Sequence, residues 1–186
     1  MKKTYIYFLF GGCPSQLRAL RLVEKWRKNK KEGIFVLTGY PSNDPGEVIS
    51  MLEFLLKAGV PRNKIYIDGS YETLSNVESL EKFLKKNKLN SNQCEIYAST
   101  GLLHWLRFKI IFIWYVILGK ENFIPINYLP SNEKEVWYAF VVLIPYIVFT
   151  PQGWQRITRY LRKKQYESCK NREIEKIAKK YKVRTV

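Results

Sequence analysis

The sequence predicts an α/β domain in which a mostly parallel sheet of five strands lies between two layers of helices. Short apolar runs typical of buried strands recur along residues 4–128, and a helical pattern follows each of the first four. Strand–helix alternation of this kind produces parallel pairing through right-handed crossovers. The first four strands also run into small polar turns that contain glycine, at residues 8–12, 35–39, 66–70 and 97–101. In a parallel sheet such turns gather at one edge, where ligands of open α/β proteins bind.

The first strand and the first helix follow from residue type and spacing. Residues 4–10 are rich in Tyr, Ile and Phe, which favours a strand. A helix opens at Pro14-Ser15 and is stopped by Gly33. Its core face is predicted from the apolar residues at the i, i+3 spacing: Leu17, Leu20, Val23 and Trp26.

The later elements repeat this pattern. Asp44-Pro45-Gly46-Glu47 is a helix start signal, with a carboxylate at the N-cap, Pro at N1 and Glu at N3. A long apolar helix is predicted over residues 102–118. The remaining strands are predicted at residues 34–37, 64–67, 94–98 and 123–128.

The pattern changes after Pro130, which divides the chain into an α/β domain over residues 1–130 and a C-terminal extension over residues 131–186. Residues 136–149 are uncharged and nearly all apolar, and they are fewer than the roughly 20 needed to span a bilayer. A buried helix that covers the sheet is one interpretation. The other is a membrane-surface element, because Trp137 and Trp154 flank the run and a basic segment follows. For the end of the chain, from residue 171, we expect a solvated or partly disordered helix.

The charge of the chain indicates an anionic partner. The net charge is +16, and residues 152–186, with 12 basic and 3 acidic side chains, carry nine of these charges. A small phosphorylated ligand, an anionic membrane surface and nucleic acid are all compatible with this charge. Nucleic acid is the least favoured of the three, because the sequence has no helix-turn-helix or RNP motif.

The cysteines predict neither a metal site nor a disulfide framework. Cys13, Cys94 and Cys169 are odd in number and have no ligand spacing. Cys94 is predicted to be a small core residue, and a reactive thiol at Cys13 is an alternative to a structural one. Because the apolar residues 5–10 are too few for a signal peptide, we expect a cytoplasmic protein, or one peripheral to the inner face of the membrane.

His104 and Arg107 are the strongest candidates for chemistry. His104 is the only histidine, and Arg107 follows it at the spacing that puts both side chains on one face of a helix. A histidine can exchange protons near neutral pH, and an arginine can hold a phosphate through two hydrogen bonds. The alternative is a buried, hydrogen-bonded His beside a surface Arg.

Other polar residues at the strand ends have structural explanations that compete with function. Thr73 and Asn76 share a helical face, but a Ser75–Glu78 capping box would explain this motif. Glu47 is a site acid or a cap. The glycine loops are weak signals, because the sequence has no third glycine of GxGxxG, no P-loop Lys and no HExxH, GxSxG or DxD signature.

Taken together, these residues resemble the YdcF/SanA/ElyC family of bacterial proteins over about residues 4–128. The resemblance lies in their order and spacing: Phe10-Gly11-Gly12, Arg18, Thr38-Gly39, Glu47, Ala58-Gly59-Val60-Pro61, Asp68, Thr73-x-x-Asn76 and His104-x-x-Arg107. Three positions depart from the family pattern: Thr38 replaces a Ser, Ser75 replaces a Glu, and Gly101 stands where Ser is frequent. The resemblance implies a Rossmann-like fold and a link to the bacterial cell envelope, with no settled reaction. Several members carry N-terminal membrane anchors, which this sequence lacks, so the resemblance implies the soluble type.

We therefore expect a site for a small phosphate- or nucleotide-like anion at the carboxyl ends of the strands. His104 would act as acid or base, with Glu47 or Asp68 as a polarising or hydroxyl-accepting carboxylate and Arg18 and Arg107 as anion clamps. The expected ligand-binding residues are Gly11, Gly12, Arg18, Thr38, Gly39, Thr73, Asn76, Thr100 and Arg107. A hydrolase or transferase would fit such a site. The alternative function is a non-enzymatic protein that acts at the membrane surface through residues 136–164.

Overall fold

A computed structural model describes residues 3–11, 15–41, 47–70, 73–90, 93–118, 125–131, 144–161, 163, 167 and 171–186. The expected α/β architecture is confirmed, with one parallel sheet and helices on both of its faces. The described strands, in chain order, are β1 (Thr4–Leu9), β2 (Ile34–Gly39), β3 (Ile65–Gly69), β4 (Cys94–Thr100), β5 (Ile126–Pro130) and β6 (Arg184–Thr185).

The sheet has six strands and not the five expected from the sequence. Its order is β5-β4-β1-β2-β3-β6, and every neighbouring pair is parallel. The sixth strand has two residues, too few for the alternation of side chains that identifies a strand in a sequence. Val186 extends the pairing by donating its N–H to the carbonyl of Ile67 at 3.1 Å.

Helices cover both faces of the sheet. The helices α3 (Thr73–Lys86), α4 (Leu102–Ile117) and α5 (Ile144–Val148) contribute to one core cluster, and α1 (Ser15–Lys28), α2 (Glu47–Lys57) and α7 (Asn171–Tyr181) contribute to the other. Between α5 and α7 lies α6 (Pro151–Leu161), and a single 3-10 turn (Arg62–Lys64) precedes β3. The central strand β1 is buried on both sides, with Ile6 and Phe8 in the first cluster and Tyr7 and Leu9 in the second. This explains why β1 is a continuous apolar run.

The core face of α1 differs from the expected one. Val23 and Trp26 are buried as predicted, but Leu17 and Leu20 are 41% and 38% exposed. The helix is turned so that Arg18, only 3% exposed, faces inward. The spacing of apolar residues could not reveal this, because the inward-facing residue is charged.

The end of the chain packs on the sheet, so the expectation of a solvated or partly disordered helix is wrong. Ile174, Ile177 and Ala178 of α7 are buried against the second core cluster, and β6 then pairs with β3. Strand β6 therefore belongs to the same sheet as the strands of residues 1–130, and α7 packs against that sheet.

Most of the apolar run at residues 136–149 lies outside the described residues. Of the described part, α5 buries Tyr146 but leaves Ile144, Ile147 and Val148 more than half exposed. Over the described ranges, no helix combines the length and hydropathy needed to cross a membrane.

The strand order creates a switch point between β1 and β4. From β1 the chain proceeds outward through β2 and β3, then returns to the other side of β1 to form β4 and β5. At such a point the loops that leave the two neighbouring strands diverge, and they open a crevice at the carboxyl ends. Here those loops begin at Phe10-Gly11 and at Gly101.

Candidate functional site

Arg18 holds the end of β1 from inside the first helix. Its Nη1 donates hydrogen bonds to the carbonyl oxygens of Phe10, at 3.2 Å, and Gly11, at 2.6 Å. The inward turn of α1 thus brings a guanidinium charge to the switch point. Gly12, predicted to bind ligand, and Cys13 both lie outside the described residues.

Gly11, Gly39 and Glu47 pack tightly beside one another. A Cβ added at Gly11 would lie 2.3 Å from Glu47 Oε2 and 2.6 Å from Gly39 Cα. Glu47 Oε2 also accepts a hydrogen bond from the Tyr40 N–H at 3.1 Å. The two glycines are therefore explained by the close approach of two loops and a carboxylate, and this packing needs no ligand. Asp44, the expected N-cap of this helix, is outside the described residues.

Asn76 joins the ends of β2 and β3 to α3. Its Oδ1 lies 2.5 Å from Thr38 Oγ1 and 2.5 Å from Ser70 Oγ, and all three residues are buried. Thr38 Oγ1 also lies 3.1 Å from the Leu9 carbonyl oxygen on β1. This buried network holds the carboxyl ends of three neighbouring strands in register beside the first turn of α3.

His104 lies at the switch point, on the first turn of α4. Its Nε2 is 3.3 Å from Thr73 Oγ1, and its ring contacts that of Phe10 at a centroid distance of 5.5 Å. Burial, together with the positive charges of Arg18 and Arg107, holds the pKa of His104 well below its usual range. The imidazole is therefore neutral at pH 7, so it can accept a proton but is not a reservoir of one.

Arg107 and Thr100 approach the same region from α4 and β4. The charge of Arg107 acts on His104 one helical turn away, and the Arg107 side chain is partly buried. Thr100 is fully buried, and its Oγ1 has no hydrogen-bond partner among the described residues, as is also true of Ser99 Oγ. Two buried hydroxyls with no partner in the described part of the chain lie at the carboxyl end of β4, although the sequence singled out only Thr100.

Asp68 has its described contacts elsewhere. Its Oδ1 accepts the N–H of Gly69 at 3.0 Å, and its Oδ2 lies 3.7 Å from the Lys82 ammonium, which is largely exposed. Neither contact connects Asp68 to His104 or to Glu47. The structure therefore brings together Gly11, Arg18, Thr38, Gly39, Glu47, Thr73, Asn76, Thr100, His104 and Arg107, in packed groups around the ends of β1, β2 and β4.

The capping-box interpretation of the Thr73–Asn76 motif is wrong. Ser75 is the third residue of α3 and not its N-cap, and Glu78 accepts hydrogen bonds from Gln155 Nε2 at 3.0 and 3.1 Å. Thr73 contacts His104 at the switch point and Asn76 contacts the ends of β2 and β3, so both side chains of the motif connect α3 to the carboxyl edge of the sheet.

Sequence reasoning missed Ser70. This buried residue shares Asn76 Oδ1 with Thr38, and its N–H donates to the Gly39 carbonyl at 2.9 Å. Its position directly after Gly69, at the end of a strand, is the sequence feature that could have identified Ser70. Over the described ranges, no three His, Cys, Asp or Glu residues are grouped so that they could hold a metal ion.

Comparisons with protein-family models, with curated proteins and with solved structures found no match for this chain.

Proposed function

We propose that this protein binds a small phosphate- or nucleotide-like anion at the switch point between β1 and β4. The observation that carries the proposal is the pair of arginines, Arg18 and Arg107, whose charges converge on His104 at the carboxyl edge of a parallel sheet. Two positive charges beside the imidazole of His104 destabilise its protonated form, whereas a bound anion would offset them. An anion is the ligand whose binding this charge arrangement favours most.

Each of these residues has a role in the proposed site. Arg107, on the first turns of α4, is the anion clamp. Arg18 contributes charge while it holds the β1 end through two carbonyls. Neutral His104 accepts a hydrogen bond or a proton from the ligand, and Thr73, 3.3 Å from Nε2, orients the ring. The Arg107–His104 pair would serve a hydrolase or transferase acting on a phosphorylated or nucleotide-linked small molecule.

We also propose that the chain is a YdcF-like protein that works in bacterial cell-envelope metabolism. The support is the order of motifs in the sequence, from Phe10-Gly11-Gly12 to His104-x-x-Arg107. The contact of Thr73 with His104 supports it further, because it joins two of these motifs in space.

The proposal predicts that Arg107→Gln weakens anion binding. We expect calorimetric titration of the wild type with inorganic pyrophosphate and with AMP to show binding of at least one of them at neutral pH. A hydrogen bond to a charged group contributes about 1.5–3 kcal/mol, so loss of the guanidinium should weaken binding by roughly 10- to 100-fold.

Lys109→Gln is the matched control. It removes the same charge from the same helix, at an exposed residue whose ammonium lies over the Trp105 ring. We expect it to change the affinity by less than about twofold, because exposed charges are screened by salt. Absence of binding to both probes, or equal losses in the two variants, would contradict the proposal.

A further inference from the structure

The exposed apolar side chains of this protein are concentrated on one part of its surface. Of thirteen large apolar residues exposed in the described ranges, eleven lie on α4, α5 and α6 or directly after them. The other two are Leu17 and Leu20 of α1. Large contiguous apolar patches are uncommon on soluble monomers and mark surfaces that bind something.

The patch includes side chains at a regular helical spacing on two neighbouring helices. Leu106, Ile113 and Ile117 follow one another at seven- and four-residue spacing, so they form a stripe on one side of α4. Next to α4 lies α5, joined to it by a hydrogen bond from Trp114 Nε1 to the Tyr146 carbonyl at 2.8 Å. The α4–α5 apolar surface consists of Leu106, Ile113, Ile117, Ile144, Ile147 and Val148, exposed by between 37% and 65%.

Basic side chains flank this surface. Lys109 lies on the same stripe of α4 and is exposed. On α6, Arg156, Arg159 and Tyr160 are exposed, and Tyr160 is the most exposed of the thirteen, at 84%. Contact of the Trp154 ring with those of Tyr146 and Phe149 holds α6 against α5. Exposed aromatic, cationic and apolar side chains on neighbouring helices are typical of a surface that lies in a membrane interface.

We propose that the α4–α5 apolar surface docks on an anionic lipid bilayer, with the cations of α6 at the headgroups. The charge of the chain decides between a bilayer and a second copy. Each chain carries a net charge of +16, so two copies that pair through this surface would repel each other. An anionic bilayer would instead attract the chain. The structure supports docking on the surface and not insertion across it, because the described helices include none that could span a membrane.

Vesicle sedimentation tests this proposal with the full chain. We expect binding to vesicles of phosphatidylcholine with phosphatidylglycerol at low salt, little binding to phosphatidylcholine alone, and release at high salt. Ile113→Ser with Ile117→Ser should lower the partition coefficient by about tenfold or more, since two apolar side chains no longer enter the interface. Leu17→Ser with Leu20→Ser, the exposed apolar pair of α1, should leave it unchanged.

A second pair of variants tests the contribution of the basic side chains. Arg156→Gln with Arg159→Gln should weaken binding to the anionic vesicles by roughly 30-fold, because each basic residue near the surface contributes about 1 kcal/mol. Lys57→Gln with Lys85→Gln removes the same charge from exposed sites on α2 and α3 and should have a smaller effect. The proposal is overturned if the wild type does not bind anionic vesicles, or if the α4 and α1 variants bind equally. It is also overturned if sedimentation velocity shows a dimer that Ile113→Ser with Ile117→Ser dissociates.

Discussion

His104 has a different chemical character in the structure from the one its sequence position indicates. The His-x-x-Arg motif predicts a side chain that titrates near neutral pH beside a cation. Burial removes water from the imidazole and Arg18 adds a second cation beside it, and both lower the pKa of His104. The sequence could predict Arg107 from its spacing. Its motifs also placed Arg18 at this site, but the apolar spacing of α1 did not predict that the Arg18 side chain would be buried there.

Asn76 is the residue whose loss should most disturb the framework of the site. Asn76→Ala removes the acceptor that the buried hydroxyls of Thr38 and Ser70 share, and Thr38 keeps the Leu9 carbonyl as a second acceptor. An unsatisfied buried group costs about 1–3 kcal/mol, so we expect the loss at Ser70 to lower the free energy of unfolding by about that amount in urea titration.

Asn87→Ala is the control for that prediction. Asn87 directly follows the same helix and makes one partly buried hydrogen bond, from Nδ2 to the Phe83 carbonyl at 2.9 Å. We expect it to cost about 1 kcal/mol or less. If the two variants lost equal stability, Asn76 would not have the linking role that its contacts indicate.

At the scale of elements, several helices end in a left-handed residue that is not glycine. Lys30, Lys31, Lys88 and Lys182 have φ between 52° and 59°, where L-residues with a side chain are strained. After α3, the N–H of Leu89 donates to the Leu84 carbonyl at 2.9 Å, which closes the turn around Lys88. The fold requires this backbone conformation, although glycine would adopt it at lower cost.

Lys88→Gly should therefore raise stability. Relief of the left-handed strain amounts to about 1 kcal/mol, measured as an increase in the free energy of unfolding. Lys85→Gly, in the last turn of α3, should lower it by a similar amount, because glycine is unfavourable inside a helix. A loss of stability in Lys88→Gly would show that its side chain contributes more than its conformation costs.

Local sequence patterns identify some elements of this fold and not others. Strands β1 to β4 follow from short apolar runs and helix α3 from a longer helical pattern, whose Leu74, Val77, Leu80 and Leu84 are buried as their spacing predicts. By contrast, β6 is defined only by pairing with β3, and α7 is fixed by burial of three small or branched side chains. Such elements depend on a surface that forms elsewhere in the chain, so a local pattern does not identify them.

Over the whole molecule, much of the charge lies away from the candidate site. Basic residues occupy the last turns of α1, α2, α3 and α7, at Lys28, Lys57, Lys86 and Lys180 among others. Positive charges there stabilise the negative ends of the helices. Helices that connect parallel strands run back toward the amino edge of the sheet, so these charges lie opposite the switch point. The net charge therefore does not locate the proposed anion site, which depends on two arginines.

The most direct test of the central claim is the titration of His104 by NMR, because it is the only histidine and gives one imidazole signal. We predict a pKa well below the usual value of about 6.5 in the free protein. Saturating sulfate, compared with sodium chloride at equal ionic strength, should raise the pKa, because the anion offsets the charges of Arg18 and Arg107. By linkage, sulfate should bind more tightly as the pH falls through the pKa of the sulfate-bound protein toward the lower pKa of the free protein. A pKa near 6.5 in the free protein, or one that sulfate leaves unchanged, would contradict the account.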